Sequence, residues 1–121
     1  MLEAHQFNPV LDKEFLLENY DTAEYLSEVM GDFLALMPEE MAEIQEALID
    51  GDKDRLVKKI HAISSAVGFV GGIRLSDKMK AFEYKAKNDA AFNIANDETR
   101  ALVTEITDFI SIIKEEYTSL N

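Results

Sequence analysis

The spacing of apolar residues constrains the fold more than any other feature of this sequence. Apolar residues recur every three or four positions through four long segments, and no segment alternates apolar and polar residues as a half-buried strand would. A period near 3.6 predicts helices with one apolar face. The predicted long helices cover 22–49, 53–67, 73–88 and 97–120, and a short one covers 11–19. We therefore predict an all-α fold: an antiparallel four-helix bundle with a short additional N-terminal helix.

Capping residues and helix breakers set the predicted helix boundaries. Asp21 has Glu24 three positions later, which is the pattern of a capping box at the start of the first long helix. Pro38 lies inside this helix and predicts a bend rather than an end. Gly51 suits a left-handed C-terminal position, and Asp52 suits the next N-cap. Further breaks are predicted at Gly68, Gly71 and Gly72, and the last helix is predicted to be capped by Asn96 or Asp97.

Each predicted helix has an apolar stripe that we expect to be buried. The stripes are Phe15 and Leu16; Leu26, Met30, Phe33, Leu34, Met37, Met41, Ile44 and Leu48; Leu56, Ile60, Ile63 and Val67; Leu75, Met79, Phe82 and Ala86; and Leu102, Ile106, Phe109, Ile113 and Tyr117. Residues 1–10 contain the breaker Pro9 and are predicted to be a flexible lead-in, with no role assigned to His5. The bundle is predicted to span residues 11–121.

Composition and charge exclude several classes of protein. A chain of 121 residues suits one domain. It has no cysteine, no basic and apolar leader, and no apolar stretch of the roughly 20 residues that cross a bilayer. The net charge of −12 repels nucleic acids and anionic membranes. We therefore expect a cytoplasmic protein that binds neither. The initial Met favours a free-standing chain, and a bundle with one site favours a monomer.

One segment of this acidic chain is basic. Residues 53–87 contain nine of the twelve basic residues and only three acidic residues, which gives +6, whereas the rest of the chain carries −18. Such a segment can be an ordinary solvated face or a docking surface for an acidic partner. His61 lies within it.

His61 is predicted to face solvent. It projects roughly 130° from the centre of the buried stripe of its helix, and small residues, Ser64, Ser65 and Gly68, follow it on the same side. A solvent-exposed imidazole has a neutral nitrogen available as a nucleophile near pH 7, and nearby lysines would favour a phosphoryl group on it. The residues alone leave open an ordinary surface histidine.

The spacing around His61 resembles the histidine-containing phosphotransfer (HPt) domains of two-component phosphorelays. The matching positions are Pro38, Gly51, Asp52, Leu56, His61, Ile63, Ala66, Gly71, Leu75, Met79, Phe82 and Glu83. The spacing holds without a gap from Gly51 to Glu83. The chain departs from the family pattern at Ser64 and Ser65, where the family usually has Lys and Gly.

The resemblance implies a function and a set of site residues. His61 would accept a phosphoryl group from an aspartyl phosphate on a receiver domain and pass it to another receiver, and Glu83 would orient the imidazole. No cofactor or metal would be held by this chain, because the receiver supplies the metal. Because the family's lysine is missing at Ser64, we expect Lys58 to take its place, with Ser64 and Lys78 also stabilising the phosphoryl group. The residues expected to dock the receiver are Val57, Ser65, Gly68, Ile73 and Lys80.

Two other functions stay open. Without the family's Lys and Gly, the chain could be a pseudo-HPt module that binds receivers or kinases without accepting phosphate. An enzyme or a di-iron bundle is disfavoured, because the chain has only two histidines and no Glu-x-x-His pair.

Overall fold

The computed structural model describes residues 2–121. All of the regular secondary structure in these residues is helical, and they contain no strand. A single 3-10 turn at Leu2–Ala4 precedes five helices. These are α1 (Lys13–Asn19), α2 (Ala23–Asp50), α3 (Lys53–Phe69), α4 (Ile73–Asn88) and α5 (Asp97–Leu120). The predicted all-α fold is therefore confirmed, and α4 has the predicted bounds. None of the described helices combines the length and apolar character needed to span a membrane.

Side-chain caps explain where most of the helices begin. Asp52 accepts a hydrogen bond from the Arg55 N–H, as predicted for the start of α3. Asn96 caps α5 in the same way. The predicted capping box at Asp21 is wrong, because Thr22 is the N-cap of α2 and its hydroxyl accepts from the Tyr25 N–H at 3.1 Å.

The long helix α2 also ends as the sequence predicts. Pro38 lies inside α2, which continues through it to Asp50. Gly51 follows with φ 66°, a left-handed conformation that other residues adopt only at a cost. The next helix begins two residues later, so α3 starts close to the end of α2.

The four long helices share one core. α2 packs on α3 and α5, and α4 packs on the same two helices. The predicted stripes are buried, except that Phe15, Leu34, Met41, Leu48 and Tyr117 are half-buried against the core. At Gly72 the backbone comes so close to Phe109 and Val67 that a Cβ atom would lie 2.6–2.7 Å from their side chains. This contact fixes the start of α4 against α5.

The N-terminal segment packs against the core, contrary to the predicted flexible lead-in; Met1 lies outside the described residues. Leu2 is buried. The Glu116 carboxylate lies 2.8 Å from His5 Nε2 and accepts the Asn8 N–H at 2.6 Å. The segment is thus held by a residue of α5 more than a hundred positions away, which no local pattern in the sequence reveals. His5 therefore has a structural contact that the sequence did not indicate.

Candidate functional site

A tight turn places α4 beside α3. Gly71 adopts φ 94°, and α4 begins two residues later at Ile73. The buried Ser76 hydroxyl of α4 donates to the Ser64 carbonyl of α3 at 2.9 Å. A Cβ atom at Gly68 would lie 3.5 Å from the Ser76 hydroxyl, an ordinary van der Waals contact, so this approach does not depend on glycine at that position. These contacts fix the position of α4 along α3, and Glu83 of α4 lies opposite His61 of α3.

His61 and Glu83 form the centre of the candidate site. The His61 side chain is 72% exposed, whereas the Glu83 side chain is only 15% exposed. His61 Nδ1 lies 3.0 Å from each of the two Glu83 carboxylate oxygens. A carboxylate can only accept, so this contact favours the tautomer with the proton on Nδ1. Nε2 then carries a lone pair on a ring that is largely open to solvent.

The helix around Glu83 explains its fixed position. Its neighbours Met79, Phe82 and Ala86 are buried in the core and anchor this part of α4. Lys87, one turn further on, has its Nζ 3.9 Å from Glu83 Oε1. Lys87 is not among the predicted site residues, although it follows Glu83 by four positions, which is the spacing of a helical ion pair.

Two of the predicted site residues are buried and cannot act as predicted. Ser64 is 2% exposed, and its hydroxyl donates to the His61 carbonyl at 2.9 Å, so it is not available to a phosphoryl group on the ring. Val57 is 7% exposed and belongs to the core, so it is not available to a docking partner. Both residues lie on the side of α3 that faces α4, and the close packing of these helices covers them.

The two lysines predicted to stabilise a phosphoryl group differ in position. Lys58 is exposed one turn before His61 and forms no ion pair within residues 2–121. Lys78 lies on the other side of α4, where its Nζ is 3.0 Å from Glu105 of α5. The prediction for Lys78 is therefore wrong, because its helical position directs it towards α5 rather than towards α3.

The other four predicted docking residues lie together. Ser65, Gly68, Ile73 and Lys80 line one shallow groove between α3 and α4. The groove starts at Ser65, one turn after His61. The other residues of the groove are not among the predicted docking residues. The most prominent of them is Phe69, which is 60% exposed. The remaining lining residues are Phe15, Ser76 and Asp77.

Ion pairs reduce the positive charge that the basic segment offers to a partner. Arg55 and Lys59 pair with acidic residues of α2, and Lys85 pairs with Glu98 of α5. The hydrogen bond to Glu43 raises the pKa of Lys59, and the same contact lowers the pKa of Glu43. The lysines on the side of His61 are exposed: Lys58, Lys80 and Lys87, of which Lys87 pairs with Glu83.

Comparisons with protein-family models, with curated proteins and with solved structures find no match to this chain. Within residues 2–121, no three or more His, Cys, Asp or Glu side chains are grouped as they would be to hold a metal ion.

Proposed function

We propose that this protein is a phosphorelay intermediate in which His61 accepts and donates a phosphoryl group. The observation that carries the proposal is the contact between an exposed imidazole and a largely buried carboxylate, with Nδ1 of His61 3.0 Å from Glu83. This arrangement leaves Nε2 as the nucleophile. The resemblance to HPt domains assigns the same two roles to His61 and Glu83.

The proposed transfer is a single displacement at phosphorus. The Nε2 lone pair attacks the phosphorus of an aspartyl phosphate on a receiver domain, the P–O bond breaks, and the aspartate leaves as a carboxylate. No proton has to leave Nε2, because the proton of the neutral ring is on Nδ1. The ring of the product is positively charged, and the Glu83 carboxylate stabilises that charge. Reversal of the step delivers the phosphoryl group to a second receiver.

The surface beside His61 supports a receiver as the partner. The groove from Ser65 to Lys80 combines small residues, which allow close approach, with the exposed apolar ring of Phe69. The three exposed lysines near His61 complement an acidic partner. In this proposal the four long helices form an antiparallel four-helix bundle, and the protein acts as a cytoplasmic monomer. The contacts of α2 and α4 with both α3 and α5 support such a bundle.

The test is transfer from a phosphorylated receiver. Labelled phosphate should appear on the protein in an acid-labile, base-stable form, and it should be absent from the variant His61→Gln. The matched control is His5→Gln, which removes the other histidine and should label normally. If a panel of phosphorylated receivers labels neither the wild-type protein nor the control, the proposal is wrong. Binding of a receiver without labelling would instead favour the pseudo-HPt module.

A further inference from the structure

One position next to the ring lacks the positive charge that the resemblance to HPt domains predicts. Ser64 is buried and neutral at the position where the HPt resemblance leads one to expect a lysine. A phosphoryl group on His61 carries about −1.5 to −2 charges near pH 7. The largely buried Glu83 carboxylate, which contacts Nδ1, adds another negative charge to the site. The phosphorylated site therefore needs a cation from elsewhere.

We propose that Lys87 is this cation, a positioning residue that acts on His61 through Glu83 and on the phosphoryl group directly. The proposal rests on the function proposed above. Lys87 Nζ lies 3.9 Å from Glu83 Oε1, and the same oxygen lies 3.0 Å from His61 Nδ1. One carboxylate is thus shared by the imidazole and the ammonium group. Within residues 2–121, Lys87 is the only other basic residue with a nitrogen within 4.0 Å of Glu83.

The other lysines of the segment are less suited to this role. Lys78 and Lys85 are directed to α5, where they pair with Glu105 and Glu98. Lys58 lies on the far side of His61 from α4, and Lys80 lines the groove; neither has its Nζ within 4.0 Å of a Glu83 carboxylate oxygen. Lys87 is therefore the lysine that the fold attaches to the His61–Glu83 pair.

Lys87 has a different contact in each state of the site. In the unphosphorylated protein its ammonium group pairs with the Glu83 carboxylate, which at the same time accepts the hydrogen bond from His61 Nδ1. The Lys87 side chain is 67% exposed, so it is free to turn. When Nε2 carries a phosphoryl group, the ammonium group turns from Glu83 to the phosphoryl oxygens, and the positively charged ring then balances Glu83.

Chemical phosphorylation tests this role without a receiver. Phosphoramidate transfers a phosphoryl group to accessible neutral imidazoles, and 31P NMR then follows the protonation of phospho-His61 as the pH is changed. A nearby ammonium group favours the doubly charged form of the phosphoryl group. The variant Lys87→Gln should therefore raise the midpoint of the 31P titration by about half a pH unit, the size expected for an exposed ion pair. Lys87→Arg should restore the wild-type midpoint.

The matched control is Lys78→Gln, which removes the same charge from the same helix but on the face towards α5. It should leave the midpoint unchanged. The proposal is overturned if Lys87→Gln leaves the midpoint unchanged, if Lys78→Gln shifts it equally, or if phosphoramidate does not label His61. Transfer from a receiver plays no part in this experiment, so failure of the proposed relay function would be seen separately, in the receiver assay.

Discussion

The two histidines of this protein each contact a glutamate, in opposite environments. His5 and Glu116 have side chains 15% and 8% exposed, and this pair joins the N-terminal segment to α5. His61 has a side chain 72% exposed, next to a Glu83 side chain that is 15% exposed. The same two side chains therefore form a nearly buried pair that joins two segments in one place, and an exposed ring beside a largely buried carboxylate in the other. Exposure of the ring, rather than the presence of a carboxylate, separates the two cases.

The largest expected difference between the pairs is in stability. Glu116→Ala removes the acceptor for both His5 and the Asn8 N–H, so the free energy of unfolding should fall by about 2–3 kcal/mol. Glu83→Ala should lower it by less than about 1 kcal/mol, because the His61 ring remains solvated. Urea denaturation of both variants measures the difference. Equal losses would mean that the two pairs do not differ in the way described.

The next effect is on the reactivity of the two rings. Diethyl pyrocarbonate acylates neutral imidazoles, and His61 should react about tenfold faster than His5, because the His5 ring must first leave its packed position. The variants His5→Gln and His61→Gln assign the two rates. Equal rates for the two histidines in the folded protein would show that the contact between His5 and Glu116 opens freely.

A smaller effect concerns the tautomer of His61. Loss of the contact in Glu83→Ala should reduce the share of the tautomer with the proton on Nδ1 about fivefold relative to the other form, since one hydrogen bond contributes ~1 kcal/mol. Nitrogen-15 NMR of the imidazole reports this ratio. Glu105→Ala is the control, because it removes a carboxylate that pairs with Lys78 instead. A ratio unchanged in Glu83→Ala would remove the proposed role of Glu83.

The smallest effect is expected at an ion pair that involves neither histidine. The hydrogen bond from Lys59 lowers the pKa of Glu43 from its ordinary value of 4.5. The contribution of this ion pair to stability is therefore present above pH 4.5, and it is lost as the pH falls through the lower pKa that Glu43 has in the folded state. In Glu43→Gln the melting temperature should fall less steeply with decreasing pH below pH 4.5 than it does in the wild-type protein. Above pH 4.5 the two proteins should show the same dependence of melting temperature on pH. If the melting temperature below pH 4.5 falls equally steeply in both proteins, the pair of Lys59 and Glu43 contributes nothing to stability.

The sequence predicts the helices well because their signals are local. The stripe from Leu56 to Val67 and the caps at Asp52 and Asn96 depend on residues a few positions apart, and the structure confirms them. The contact between His61 and Glu83 was expected only from the resemblance to HPt domains.

Packing between distant segments explains what the sequence could not show. Ser64 is buried because Ser76 of α4 bonds to its carbonyl, and Lys78 is directed to α5 by its angular position on the helix. His5 meets Glu116 across most of the chain. The pairing of Lys87 with Glu83 can be predicted from the sequence, since Lys87 lies four residues after Glu83 on the same helix.

The most direct test of the central claim is the position of the phosphoryl group after transfer from a phosphorylated receiver. NMR with 31P and 15N nuclei identifies the nitrogen that carries it. The account predicts a phosphoryl group on Nε2 of His61, present in His5→Gln and absent in His61→Gln. A phosphoryl group on Nδ1 of His61, or on His5, would contradict the assignment of Glu83 as the group that holds Nδ1 and leaves Nε2 free.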